Sequence, residues 1–303
     1  MKKHILVTGS HRSGTTFVGK VISEPKRIRY IHEPFNIEGN RENCPLKYRN
    51  EYVADSSLEH QKEVKKYINS FANLNLGRLG KVKSLKGLYH FLKETKSRFS
   101  SSRTVYKDPI AFMSVEWIYK HFDMSVIMLI RHPAAFVSSI KLKNWKFDFN
   151  NFLEQEALMN TYLKDYKKIV KEYVETEKDI IDQGILLWNI FHDIIADFQT
   201  KYKDEWYFVK HEDLSINPIP EFEKIFNRLG IEYSTEVQNY IIESTTSKVD
   251  PDVQKNATKF WDVKRNSKAN VEAWKVRLTP EEISRIKEGT KGIWEKFYTE
   301  NEW

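Results

Sequence analysis

Cysteine is almost missing from this chain: Cys44 is the only one in 303 residues. A single thiol excludes an internal disulfide framework and a cysteine-rich zinc site. Nothing around Cys44 resembles a thiol-enzyme signature, so it reads as a bystander, and no metal is expected. Long apolar runs are missing too. None approaches the ~20 residues of a membrane-spanning helix. The apolar stretch after Met1-Lys2-Lys3 is too short for a secretory signal and runs straight into a polar loop. The chain therefore reads as cytoplasmic, with no membrane span. There is no internal repeat and no low-complexity segment. The net charge of +7 and the pI near 9.1 suit an anionic ligand, a nucleic acid or a membrane surface alike. A zinc-finger or RNA-recognition signature is also lacking, so no nucleic-acid partner is expected.

What is present begins at the N-terminus. Ile5-Leu6-Val7-Thr8-Gly9-Ser10-His11-Arg12-Ser13-Gly14-Thr15-Thr16 is a short apolar run that breaks into a Gly/Ser loop. It continues into an amphipathic pattern with Phe17, Val21 and Ile22 on one side. The pattern predicts a buried strand, a tight loop and a helix. Gly9 and Gly14 permit close approaches that a Cβ would block. Backbone N–H groups and the positive end of the helix dipole then converge on one anion site. Arg12 adds a fixed charge there, and Ser13, Thr15 and Thr16 add hydroxyls. A nucleotide-triphosphatase loop would end Gly-Lys-Ser/Thr, with the hydroxyl on magnesium. Here the cation precedes the glycine, so the loop suits a phosphate or phosphosulfate without an obligatory metal. A nucleotide or small-molecule kinase is disfavoured on the same ground.

At 40% hydrophobic the chain can bury a large core. Strand-like runs recur at 28–32, 104–107, 124–130 and 206–209, alternating with helical patterns. This predicts an α/β fold: a P-loop-type central parallel sheet flanked by helices. We expect one domain over 1–303, with a helical or loop insertion at 36–100 and further helices at 151–202. Residues 58–100 read as helical and basic, either a solvated face or a surface for an anionic acceptor. Apolar spacing predicts two long helices at 151–174 and 184–202, and helices near 112–122, 134–143, 279–289 and 292–299. Met124 to Ile130 is the most strand-like run, apolar enough to be buried on both faces. Arg131 follows it, and Ser139 lies two turns into the next helix, so both can reach one phosphate.

Arg12-Ser13-Gly14-Thr15-Thr16 after a strand resembles the 5′-phosphosulfate loop of sulfotransferases that use 3′-phosphoadenosine-5′-phosphosulfate (PAPS). Arg131, Pro133 and Ser139 resemble the same family's 3′-phosphate element. Tyr30-Ile31-His32-Glu33-Pro34 resembles the aromatic-Glu-Pro turn of the carbohydrate O-sulfotransferases. Lys210-His211-Glu212-Asp213-Leu214 resembles the family's Tyr-Glu-Asp-Leu segment, with His211 standing where tyrosine is usual. Arg265 to Trp274 resembles the late loop and Ala-Trp region that covers the nucleotide. The resemblance implies transfer of a sulfuryl group from PAPS to a hydroxyl of a carbohydrate or glycoconjugate, leaving 3′-phosphoadenosine 5′-phosphate (PAP). A small-molecule or lipid acceptor is the alternative. It implies a cofactor-binding set of His11, Arg12, Ser13, Gly14, Thr15, Thr16, Arg131, Ser139, His211 and Arg265, with Lys264 beside Arg265 as a second clamp. Sulfuryl transfer passes through a loose in-line transition state, dominated by positioning and charge stabilisation. Arg12 would support charge on the bridging oxygen. Glu33 would take the acceptor's proton, with His32 as the other choice of base. Lys107 would stabilise the sulfuryl oxygens.

Overall fold

The computed structural model describes residues 4–39, 44–72, 101–245 and 271–303. Five strands form one sheet: β1 (His4–Gly9), β2 (Ile28–His32), β3 (Arg103–Lys107), β4 (Met124–Ile130) and β5 (Tyr207–Lys210). Their order is β2-β3-β1-β4-β5, and every neighbouring pair is parallel. Helices supply the crossovers, as parallel pairing demands. The α/β architecture with a parallel sheet is thus the one the alternation predicted.

Side chains alternate between the two faces of the sheet and build a core on each. Ile5, Val7, Val105, Ile127 and Leu129 pack with α1 (Thr15–Ile22), α10 (Pro218–Leu229) and α11 (Thr235–Thr245). Leu6, Tyr106, Val126, Met128 and Ile130 pack on the other face with α4 (Pro133–Lys143) and α8 (Ile180–Lys201). β4 therefore sits between two apolar layers, as its unbroken run requires. Asp179 caps α8, its carboxylate accepting from the N–H groups of Ile181 and Asp182. This long helix brings Trp188 and His192 beneath the end of β4.

Three helix expectations are corrected. The 151–174 stretch is not one helix. It divides into α5 (Asn150–Leu153), α6 (Glu156–Asn160), a 3₁₀ turn (Lys164–Tyr166) and α7 (Lys167–Glu175). Gln155 leaves helical geometry at the first break, and its side chain bonds the 50–52 segment. Its Oε1 accepts from Tyr52 N at 2.8 Å and its Nε2 donates to Asn50 O at 3.3 Å. Tertiary bonding outweighs the apolar period there. The 292–299 stretch is a short 3₁₀ turn, Trp294–Lys296, because Gly292 sits at φ 81°. The 112–122 stretch opens as a 3₁₀ turn (Ile110–Ser114) before α3 (Val115–His121). Helix α2 (Leu58–Ala72), α9 (His211–Ile216), α12 (Ala273–Arg277) and α13 (Pro280–Gly289) complete the described elements. The predicted helix beyond residue 72 and the loop at 246–270 lie outside the described residues. No described helix is long and apolar enough to cross a membrane.

Candidate active site at the carboxyl edge of the sheet

Each of the five strands ends at a residue singled out from sequence or next to one, at the edge where open α/β sheets bind ligands. β1 leads into the loop. Gly9 has φ 140°, and a Cβ there would lie 2.4 Å from Leu129 O, so only glycine lets the chain turn against β4. Arg12 at φ 67° and Gly14 at φ 90° occupy left-handed geometry, which rolls the loop into a concave shape. Ser13 Oγ donates to Ser10 O at 2.6 Å, so this hydroxyl braces the loop. Thr15 and Thr16 open α1, whose first turn holds no acidic residue. Ser10 Oγ is buried and has no hydrogen-bond partner among the described residues.

The second element meets the first. Arg12 Nε donates to Ser139 Oγ at 2.9 Å. Arg131 Nη1 donates to the carbonyl of Arg12. Arg131 is itself held from below, since Trp188 Nε1 donates to Arg131 O at 2.8 Å. His192 Nδ1 lies 2.9 Å from Trp188 O, and its Nε2 lies 3.4 Å from Arg131 N. Those partners fit the neutral tautomer with the proton on Nδ1, and burial holds His192 down at about 3. His132, next along, is fixed through its N–H, which Glu212 Oε1 accepts at 3.0 Å. Glu212 Oε2 accepts from Tyr298 OH at 3.0 Å, and burial raises the carboxyl.

The third element lies across β3. Registers pair His32 with Lys107, so the residue after β2 stands beside the end of β3. Glu33 N donates to Lys107 O at 2.7 Å. Lys107 Nζ forms an ion pair with Glu33 Oε1, and Asn36 Nδ2 donates to Glu33 Oε2 at 2.9 Å. Burial pulls the Glu33 carboxyl up, but the Lys107 ammonium, helped by His32 and Asn36, leaves it below the usual carboxylate range. Lys107 is almost wholly buried, and burial lowers its ammonium against the pull of Glu33. His32 Nε2 stands 3.7 Å from Glu33 Oε2, and its Nδ1 is 3.2 Å from Tyr30 OH. His32 and Glu33 are therefore neighbours in space as well as in sequence, because φ 41° at Glu33 breaks the strand alternation.

Two loop-associated imidazoles, His11 and His211, were expected among the cofactor-binding residues. The His11 ring packs edge-on against Phe136 at 5.1 Å and Trp145 at 4.9 Å. Burial, with Arg49 and Arg12 nearby, holds it at about 3, so it contributes no charge to the loop. His211 lies against the loop: a Cβ on Gly14 would come within 2.5 Å of its Nδ1. Arg265 and Lys264 lie outside the described residues. Asp108, Asn36, Trp188, His192 and Glu212 were missed as partners. Asp108, an aspartate before proline at a strand end, carried a readable turn signal. Trp188 and His192 follow ordinary core spacing and gave none.

The arrangement joins two guanidinium groups and a concave backbone loop to an ionised carboxylate–ammonium pair one strand away. Among the described residues no cluster of three or more potential metal ligands occurs. No curated protein sequence matches the chain significantly. Similar solved structures include the sulfotransferase domain from the curacin biosynthetic pathway (13% identity, covering 95% of this chain and 96% of that one, TM-score 0.48). Another is the sulfotransferase domain of the Synechococcus PCC 7002 olefin synthase (17%, 95% and 94%, TM-score 0.48). A third is mouse sulfotransferase SULT7A1 complexed with PAP (13%, 98% and 86%, TM-score 0.43). The model of the Sulfotransferase family matches residues 4–235, which take in all five strands and every described element of the site except the C-terminal tyrosine, and the chain belongs to that family.

Proposed function

We propose that this protein transfers a sulfuryl group from PAPS to a hydroxyl of a carbohydrate or glycoconjugate acceptor, in the cytoplasm and without a metal. The observation that carries the reading is the junction of Arg12, Ser139 and Arg131, where the loop after β1 and the segment after β4 share hydrogen bonds. A nucleotide with phosphates at both ends of one ribose needs two such anion sites side by side. The residues fit the donor: Gly14 has no Cβ where one would strike His211, and the buried Ser10 hydroxyl still has acceptor and donor capacity. PAPS supplies, when bound, an activated sulfuryl group on a phosphate leaving group.

The loop N–H groups, Thr15 and Thr16 hold the 5′ end, and Arg131 with Ser139 holds the 3′-phosphate. Arg12 supports the negative charge that grows as the bond to the phosphate breaks. Glu33 is ionised and accepts the acceptor's proton, with His32 as the adjoining alternative. Its ion pair with Lys107 restrains its basicity. Lys107 turned toward the sulfuryl oxygens both stabilises them and leaves Glu33 the stronger base. The carbohydrate part of the reading rests on the Tyr30-Ile31-His32-Glu33-Pro34 turn.

The test is a labelled-sulfate transfer screen from PAPS to glycans, lipids and phenols, with calorimetric titration of PAP against ATP–magnesium. PAP binding and label in a glycan support the proposal. Label only in a lipid or phenol overturns the carbohydrate part, and tight ATP–magnesium binding with indifference to PAP overturns the whole.

A further inference from the structure

The Glu33 turn is held in a conformation that glutamate disfavours. Its φ of 41° lies in the left-handed region, where an L-residue with a long side chain is strained. Such strain persists only where the surroundings over-determine the backbone. Three bonds do so here. Glu33 N donates to Lys107 O at 2.7 Å, Tyr67 OH donates to Pro34 O at 2.7 Å, and Phe35 N donates to Asp108 Oδ2 at 2.6 Å.

Asp108 is the hub of this clamp. It is wholly buried, and both carboxylate oxygens are engaged by backbone donors. Oδ1 accepts from Ile110 N at 2.9 Å and from Ala111 N at 3.2 Å, while Oδ2 takes Phe35 N. Its own N–H donates to Val7 O at 2.9 Å, which ties the hub to β1. Each hydrogen-bond partner of the side chain among the described residues is a donor, so two acceptor oxygens are needed. An amide would turn its NH₂ against one set of N–H groups.

We infer that Asp108 is a positioning residue for sulfuryl transfer, clamping the Glu33–Phe35 turn so that the Glu33 carboxylate stays beside Lys107 at the loop. The inference rests on the reading of Glu33 as the base. Asp108 touches neither donor nor acceptor. It acts through the backbone between residues 33 and 35.

The experiment compares Asp108→Asn, Glu33→Gln and the double variant. The probe reaction is single-turnover release of labelled sulfate from PAPS with water as acceptor, and calorimetry measures PAP binding. Asp108→Asn is expected to slow the reaction at least tenfold while PAP affinity stays within threefold. The acid limb of its pH–rate profile should move upward, because a displaced Glu33 loses its ammonium partner. In the Glu33→Gln background, Asp108→Asn should cost nothing further. A purely structural role would lower the fraction of protein that binds PAP and leave the acid limb in place, and that outcome overturns the inference. So does an Asp108→Asn rate within threefold of wild type when Glu33→Gln is slow. A Glu33→Gln protein at the wild-type rate instead overturns the base reading. Should Asp108→Asn fail to fold, replacing Phe35 by its α-hydroxy analogue deletes only the one N–H. The same tenfold loss with retained PAP binding is expected, and a wild-type rate there overturns the inference.

Discussion

Three imidazoles among the described residues are buried: His11, His132 and His192, each held by burial at about 3 against an ordinary value of 6.5. The folded state leaves them neutral where the unfolded chain would protonate them. Their contribution to stability is therefore complete above pH 6.5 and lost as pH falls from there toward 3. Asp108 works in the opposite sense. Burial lifts it from 3.8 to about 7 despite its backbone donors, so folding takes up a proton between those values. One proton corresponds to about 1.4 kcal/mol per pH unit; the three imidazoles set against Asp108 and the raised Glu212 leave about one net proton, or about 1.4 kcal/mol per unit, between about pH 6 and pH 4. Over those two units a fold worth ~5–10 kcal/mol loses about 3 kcal/mol of it. Urea unfolding at half-unit intervals from pH 7 downward measures the slope. His11→Phe keeps an aromatic ring against Phe136 and Trp145 and should reduce the slope by about 1.4 kcal/mol per unit. A wild-type slope under about 1 kcal/mol per unit, or a His11→Phe slope equal to wild type, refutes the reasoning.

Further outcomes follow from the site. Arg12→Ala and Glu33→Ala are expected to abolish labelled-sulfate transfer with thermal unfolding of the fold preserved; unchanged turnover in Glu33→Ala removes it as base. Gly14→Ala drives a methyl into the His211 ring at a backbone angle unfavourable to alanine, so PAP affinity by calorimetry should fall at least tenfold. Trp188→Phe keeps the ring but deletes the N–H bond to Arg131 O. A net loss of about 1 kcal/mol should weaken PAP binding roughly fivefold, and the effect should vanish in an Arg131→Ala background.

The sequence exposed the parts of this fold that local chemistry dictates. β4 was legible because Met124 to Ile130 is apolar without interruption, and β1 because its run ends in glycines that only a tight loop needs. Arg131 and Ser139 were legible as a pair because a strand end and the first two turns of a helix fix their separation. The broken helices between Asn150 and Glu175 were not. Their apolar spacing is helical, and the interruption comes from Gln155 bonding a segment a hundred residues earlier. The partnership of Glu33 with Lys107 was equally hidden, since strand order in the sheet, not spacing in the chain, puts β2 beside β3. Strand alternation would turn His32 and Glu33 opposite ways, and the left-handed backbone at Glu33 cancels that rule.

The order of the sheet has an evolutionary corollary. The groups assigned to the donor follow β1 and β4, whereas Glu33 follows β2 at the border of the sheet. Insertions or exchanges beyond Asn36 would leave the pairing of β1 with β4 unaltered. A lineage built on this plan can retune which hydroxyl it modifies by rewriting one flank, with the nucleotide-handling half inherited intact.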